Sequence, residues 1–242
     1  MRTWLLLLLP LLAACAQDQP RLTLEGRLRL ADAVGGPAGA AEARLAVLQA
    51  EPGAARDPAL LERIAAEAER AGRPAEALAA HRALLERERP SERRLVAIGR
   101  LQLAQEDVAG AADSFAQAAT AAPRSVAALA GLGLARDLGG DRAAAQAAYR
   151  QALAVMPGNW PVRSNLAVSL VASGRAPEAQ EVLAAAEWSA EAPSYARHNL
   201  AMAFAAQDQT DRAVRVLRAE MGPAEALALA EELGGFARTL RP

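Results

Sequence analysis

Apolar side chains recur along this chain at two nested intervals. Over short range they fall three and four residues apart, the spacing of one face of an α-helix. Over long range the pattern returns after 34 residues: Arg163-Ser164-Asn165-Leu166-Ala167 comes back as Arg197-His198-Asn199-Leu200-Ala201. Five frames follow without insertion, 58–91, 92–125, 126–159, 160–193 and 194–227. Position 7 of each frame reads Ile64, Ile98, Leu132, Leu166 and Leu200, position 8 reads Ala65, Gly99, Gly133, Ala167 and Ala201, and position 20 reads Ala77, Ala111, Ala145, Ala179 and Ala213. With alanine making up roughly a quarter of the chain, five alanines in one register have odds on the order of one in a thousand.

Positions 4, 7, 8 and 11 share one helix face, and positions 20, 24 and 27 share another, so each frame predicts two helices. Small residues at positions 8 and 20 let the two axes approach, and a larger side chain there would overpack the pair. Leu61, Leu95 and Leu129 at position 4 and Phe115, Tyr149, Leu183 and Leu217 at position 24 fill the space between layers. Turn chemistry divides the helices. Gly72, Gly140 and Gly174 suit helix C-termini, Pro74 and Pro177 suit helix starts, Asp141 suits an N-cap, and Pro123 and Pro157 close second helices.

This two-helix, 34-residue pattern resembles the tetratricopeptide repeat over residues 58–227. The resemblance implies an all-α, right-handed superhelical solenoid of about five repeats. Two departures stand out: position 4 becomes Arg163 and Arg197, and no terminal proline follows Pro157. Residues 37–57 are expected to form a degenerate capping repeat, its first helix cut short by Gly35, Gly36 and Pro37. Residues 228–242 are expected to form a C-terminal cap, with a helix from about Pro223 to Leu233 that Gly234-Gly235 stops. Residues 15–36 read as a tether. Leu22, Leu24, Leu28 and Leu30 alternate around Glu25-Gly26, so a weak hairpin and a mobile linker are both open there.

The first residues change the picture of where the chain works. Arg2 precedes the short apolar run Trp4–Leu12, which is too brief for a span of roughly 20 residues and reads as an export signal. It ends in Leu12-Ala13-Ala14-Cys15, which resembles a bacterial lipoprotein box. That resemblance implies removal of residues 1–14 and lipidation of Cys15. With Ala16 rather than Asp next, it implies an outer-membrane anchor on the periplasmic face. Cys15 is the sole cysteine, so no internal disulfide forms.

Composition removes several function classes. A net charge of −1 and 3% aromatics offer nucleic acid neither a basic surface nor stacking platforms. No metal spacing, phosphate loop or nucleophile elbow occurs, so no cofactor, metal or enzymatic activity is predicted. His81 replaces an aromatic residue at position 24 and reads as a packing histidine. The alternating Glu and Arg residues of 62–94 read as a solvated face.

What remains is a wall for binding protein. In tetratricopeptide proteins the first helices line the concave face. Carried over position by position, Leu134, Leu138, Ser164, Asn165, Val168, Val171, Tyr195, His198, Asn199 and Met202 would point inward. Such a wall suits an amphipathic helix or an extended apolar segment of a partner. Asn165 and Asn199 either bond the ligand backbone or satisfy local groups and water. The lipoprotein box, the two NLA phrases and the closing run 217–233 together resemble the TadD family, lipoproteins of the tight-adherence (Flp) pilus assembly system. The resemblance implies a scaffold that assists localisation or assembly of the pilus secretin or a neighbouring subunit. An adapter or pilotin for another envelope machine, and a non-catalytic activator of a cell-wall enzyme, share the same features.

Overall fold

The computed structural model describes residues 22–240, and the expected signal and Cys15 lie outside them. These residues form twelve α-helices and one 3-10 turn, and within each of two units successive helices pack on one another. They divide into two compact units, one running to Glu88 and the other starting at Arg89. The first unit holds α1 (Leu24–Gln49), α2 (Pro58–Arg70) and α3 (Pro74–Leu85). The second holds α4 (Glu92–Ala104), α5 (Val108–Ala121), α6 (Val126–Leu138), α7 (Arg142–Val155), α8 (Trp160–Ala172), α9 (Ala176–Leu183), α10 (Ser194–Ala205), α11 (Thr210–Leu217) and α12 (Pro223–Leu240). The 3-10 turn Ala184–Glu187 extends α9.

Helix starts follow from local chemistry. Asp57, Ser91, Asp107, Ser125, Asp141 and Asn159 each accept a hydrogen bond from a backbone N–H in the first turn, at 2.8–3.3 Å. The starts of α3 and α9 lack such a cap and carry Pro74 and Pro177, which remove one of the orphan donors. Between the helices of every pair, the residue at position 15 takes positive φ: Gly72, Gly140 and Gly174 at 67°, 86° and 73°, and Glu106 and Asp208 at 62° and 58°. The next residue then donates backward to the carbonyl five residues earlier. Arg73 reaches Ala68, Asp107 reaches Gln102, Asp141 reaches Arg136, Arg175 reaches Leu170 and Gln209 reaches Phe204, at 2.8–3.1 Å. One left-handed cap is therefore built five times.

The five alanines at position 20 are all fully buried. Position 8 follows a finer rule than close approach of two axes. Its glycines, Gly99 and Gly133, face the rings of Phe115 and Tyr149 at position 24 of the same pair. Its alanines, Ala65, Ala167 and Ala201, occur where position 24 is His81, Leu183 or Leu217. His81 is buried with Nε2 3.0 Å from Glu69 Oε1, a packing role. Arg163 and Arg197, in place of leucine at position 4, brace the preceding loops. Arg163 Nε donates to the Pro157 carbonyl at 2.7 Å, and Arg197 donates to the Ser189 carbonyl at 2.8 Å.

Two terminal expectations are corrected. The stretch left open between hairpin and linker is helical from Leu24, because Thr23 caps it and Leu28 and Ala31 bury one face in a helix that packs on α2. The glycine signal does act at Gly36, whose φ of 58° and ψ of −173° break the helical path inside α1. At the other end, Gly234-Gly235 does not stop α12, which continues to Leu240. Gly234 is buried there, its α-carbon close to Ala205 of α10, and burial of Ala237 one turn later carries the helix through.

Candidate binding wall

The first helices of the second unit, α4, α6, α8 and α10, touch in succession and form one wall. Its exposure is uneven. At position 9, Arg100 and Leu134 are exposed and Val168 is half-buried, whereas Met202 is 2% exposed. At position 13, Ala104 and Leu138 are exposed, whereas Ala172 and Ala206 are buried. The added cover is α12, which packs on α10 and α11 and reaches α8. Met202, Ala205 and Ala206 join Ala226, Ala230 and Ala237 in one buried cluster.

The expected groove residues therefore separate into three groups. Leu134 and Leu138 stand exposed at 38% and 60%, and Tyr195 is exposed too. Asn165, Val168, His198 and Asn199 are half-buried. Ser164, Val171 and Met202 are buried, so they pack within the protein and do not line an open surface. Position arithmetic missed Met202 because it treats all five repeats alike, and the last lies under α12; Ser164 shares position 5 with Val96, which is buried as well. Neither asparagine side chain makes a hydrogen bond among the described residues, which leaves both amides open to solvent or to a ligand. His198 faces Glu220, with Nε2 3.5 Å from Oε2, while Arg197 holds the same carboxylate at 2.7 Å.

A polar network that the sequence reading did not single out runs through the wall between α6 and α8. Ser169 donates to Asp137 Oδ1 at 2.7 Å, and the Tyr149 hydroxyl also bonds this carboxylate. Behind them Gln146 donates to the Ser169 carbonyl and to Ser173 Oγ, and Arg175 donates to Gln146 Oε1 at 2.7 Å. Burial holds the Asp137 carboxyl above its ordinary value, against the lowering effect of Ser169, Tyr149 and Arg142. Burial also pushes the Tyr149 phenol well above its usual range, with the Asp137 charge adding to it. The signal was faint: a lone aspartate at position 12, where the neighbouring frames carry Leu103 and Val171.

A cavity of about 320 Å³ in the first unit is lined by Leu28, Arg44, Leu48, Glu62, Arg63, Ala66, Glu67 and Arg70. Its arginines are engaged, Arg44 with Asp32 and Glu67, Arg63 with Glu25, and Arg70 with Glu67. No three metal-ligating side chains converge among the described residues. No helix among them is long and apolar enough to cross a membrane.

Helix pairs of fixed length, each closed by the same left-handed cap, decide the architecture. The fold is a tetratricopeptide-repeat fold. A tetratricopeptide-repeat family model matches residues 139–195. A tetratricopeptide repeat protein from Parabacteroides merdae superposes with a TM-score of 0.60 at 17% identity, over 90% of this chain and 85% of that one. YrrB, described as a tetratricopeptide-repeat protein with an unusual peptide-binding site, gives 0.59 at 18% identity, over 76% and 92%. MamA gives 0.54 at 20% identity, over 62% and 87%. No curated protein matches the chain.

Proposed function

We propose that this chain is a non-enzymatic scaffold that takes a helix or extended apolar segment of a protein partner on its first-helix wall. The observation that carries the reading is the uncovered part of that wall, where Leu134 and Leu138 stand exposed one turn apart on α6 and Asn165 and Val168 are half-buried on the neighbouring α8. Apolar side chains presented on a rigid wall with free amides nearby supply anchoring and backbone contacts together. The peptide-binding site ascribed to YrrB adds support from a similar fold.

The setting of the scaffold rests on the sequence. The box Leu12-Ala13-Ala14-Cys15 supports a lipid anchor at the outer membrane, on the periplasmic face. Anchoring raises the effective concentration of the wall near membrane-bound partners, so modest intrinsic affinity suffices. The resemblance of the NLA phrases and the closing run supports a TadD-like role, in which the partner is the secretin of the tight-adherence pilus or a subunit beside it.

The experiment is co-purification from detergent-solubilised envelopes with the wild type, Cys15→Ser, and the double variant Leu134→Asp, Leu138→Asp. The reading expects Cys15→Ser in the soluble fraction and loss of the co-purified secretin or assembly subunit with the double variant. Membrane retention of Cys15→Ser overturns the anchor. Undiminished capture by the double variant overturns the wall, and a partner from another envelope machine overturns the pilus assignment alone.

A further inference from the structure

Asp137 stands on the open part of the wall without a counter-ion. It follows Leu134 by three residues and precedes Leu138, so the three side chains share one face of α6. Both leucines are exposed and Asp137 is half-buried. Its carboxylate accepts from Ser169 of α8, at 2.7 Å, and from the Tyr149 hydroxyl. Both donors are neutral, and an ionised carboxylate has room for about four hydrogen bonds.

The cations of the surrounding helices are engaged with other groups. Arg136 donates to the Ala144 carbonyl at 3.4 Å, and Arg175 donates to Gln146 and Glu178. Arg142 acts on Asp137 through its charge, without an ion pair between them among the described residues. Asp137 also lies in the last turn of α6, at the negative end of the helix dipole, which disfavours a carboxylate and favours a cation. An asparagine would accept from the same two hydroxyls without a charge to desolvate. The fold thus uses the hydrogen bonds of Asp137 and leaves its negative charge unanswered. The other first helices of the second unit carry Leu103, Val171 and Ala205 at this position, so the charge marks one place in an apolar column.

We propose that Asp137 is a specificity-determining residue of the wall and receives a basic side chain, lysine or arginine, from a partner segment whose apolar residues cover Leu134 and Leu138. This rests on the protein-binding reading above and adds the partner's chemistry: an apolar segment with one cation at the place that meets the end of α6. The cation makes charge-assisted hydrogen bonds to the lone pairs that Ser169 and Tyr149 leave free. Because those two hydroxyls already fix the carboxylate, little side-chain freedom is lost when the cation arrives. An acidic residue at the same place would be repelled, which excludes wrong partners.

The test titrates the full chain with three labelled synthetic peptides, leucine and alanine throughout except for a central arginine, glutamine or glutamate. The arginine peptide should bind wild type about tenfold more tightly than the glutamine peptide, with the glutamate peptide weakest. Asp137→Asn should erase the preference for arginine while binding the glutamine peptide as wild type does. Carbon NMR of the Asp137 carboxyl supplies a reading that a merely structural role would not move. Its titration should shift to lower pH with the arginine peptide bound and stay in place with the glutamine peptide. Equal binding of these two peptides by wild type, binding of none, or a preference that survives Asp137→Asn overturns the inference. An unmoved carboxyl titration does the same, and decides alone if Asp137→Asn does not fold. Equal peptide binding together with intact envelope capture removes the cation site and leaves the wall, so the two readings fail separately.

Discussion

Gly133 has no side chain because the ring of Tyr149 occupies the place of one: a Cβ there would lie 2.5 Å from Cε1 of Tyr149. The same relation holds between Gly99 and Phe115, at 2.8 Å, and Phe115 is also closed in by Gly131 of the following pair. Glycine and ring are thus two halves of one packing unit. Gly133→Ala should cost about 1–3 kcal/mol by overpacking. Combined with Tyr149→Leu, the position-24 residue of pairs that carry alanine at position 8, the cost should fall well short of the sum of the single changes. Denaturant curves for the four proteins of the cycle measure this, and strict additivity would show that the two sites do not share the space.

Glu106 and Asp208 hold the left-handed cap position that glycine holds in the other three pairs. Positive φ brings Cβ close to the following carbonyl, and aspartate tolerates it better than glutamate. Glu106→Gly should therefore stabilise by about 0.5–1 kcal/mol, and Asp208→Gly by less. Thermal melts of the two variants check both the sign and the order.

These residues also show how far the fold was legible. Three glycines and a run of identical alanines gave the register, because steric columns must be filled the same way in every layer. Glu106 and Asp208 gave no such signal, since the cap's geometry is imposed there by its neighbours and not by the residue itself. The wall was legible only in part. Position numbers placed Leu134 and Leu138 on the open surface, but burial of Met202 depends on α12, a helix outside the repeat period whose glycine pair read as a stop. The network around Asp137 left only the lone aspartate at position 12 as a sign, because Ser169 and Tyr149 lie 32 and 12 residues away and share no motif with it.

Asp137 gives the stability curve a direction. Its carboxyl is held above the ordinary 3.8 by burial, so the folded state binds the proton more tightly than the unfolded state does. Its contribution to stability is then present below 3.8 and is lost as pH rises through the folded-state value. Asp137→Asn keeps an oxygen to accept from Ser169 and Tyr149 but carries no charge to desolvate. The variant should gain stability relative to wild type as pH is raised from 3.8 upward, measured by denaturant titration across that range. A difference that is flat with pH would mean the carboxyl is not perturbed.

Asn165 and Asn199 separate binding from folding most cleanly. Both sit half-buried on first helices, 34 residues apart, and neither side-chain amide is used inside the protein among the described residues. A side chain without an internal hydrogen bond leaves no buried partner orphaned when it is cut back. Asn165→Ala with Asn199→Ala should thus keep the melting transition within about 0.5 kcal/mol of wild type. Capture of the partner from solubilised envelopes should fall nonetheless, because two donors to its backbone are gone. A large loss of stability would instead assign the asparagines to the fold, and wild-type capture would remove them from the binding surface.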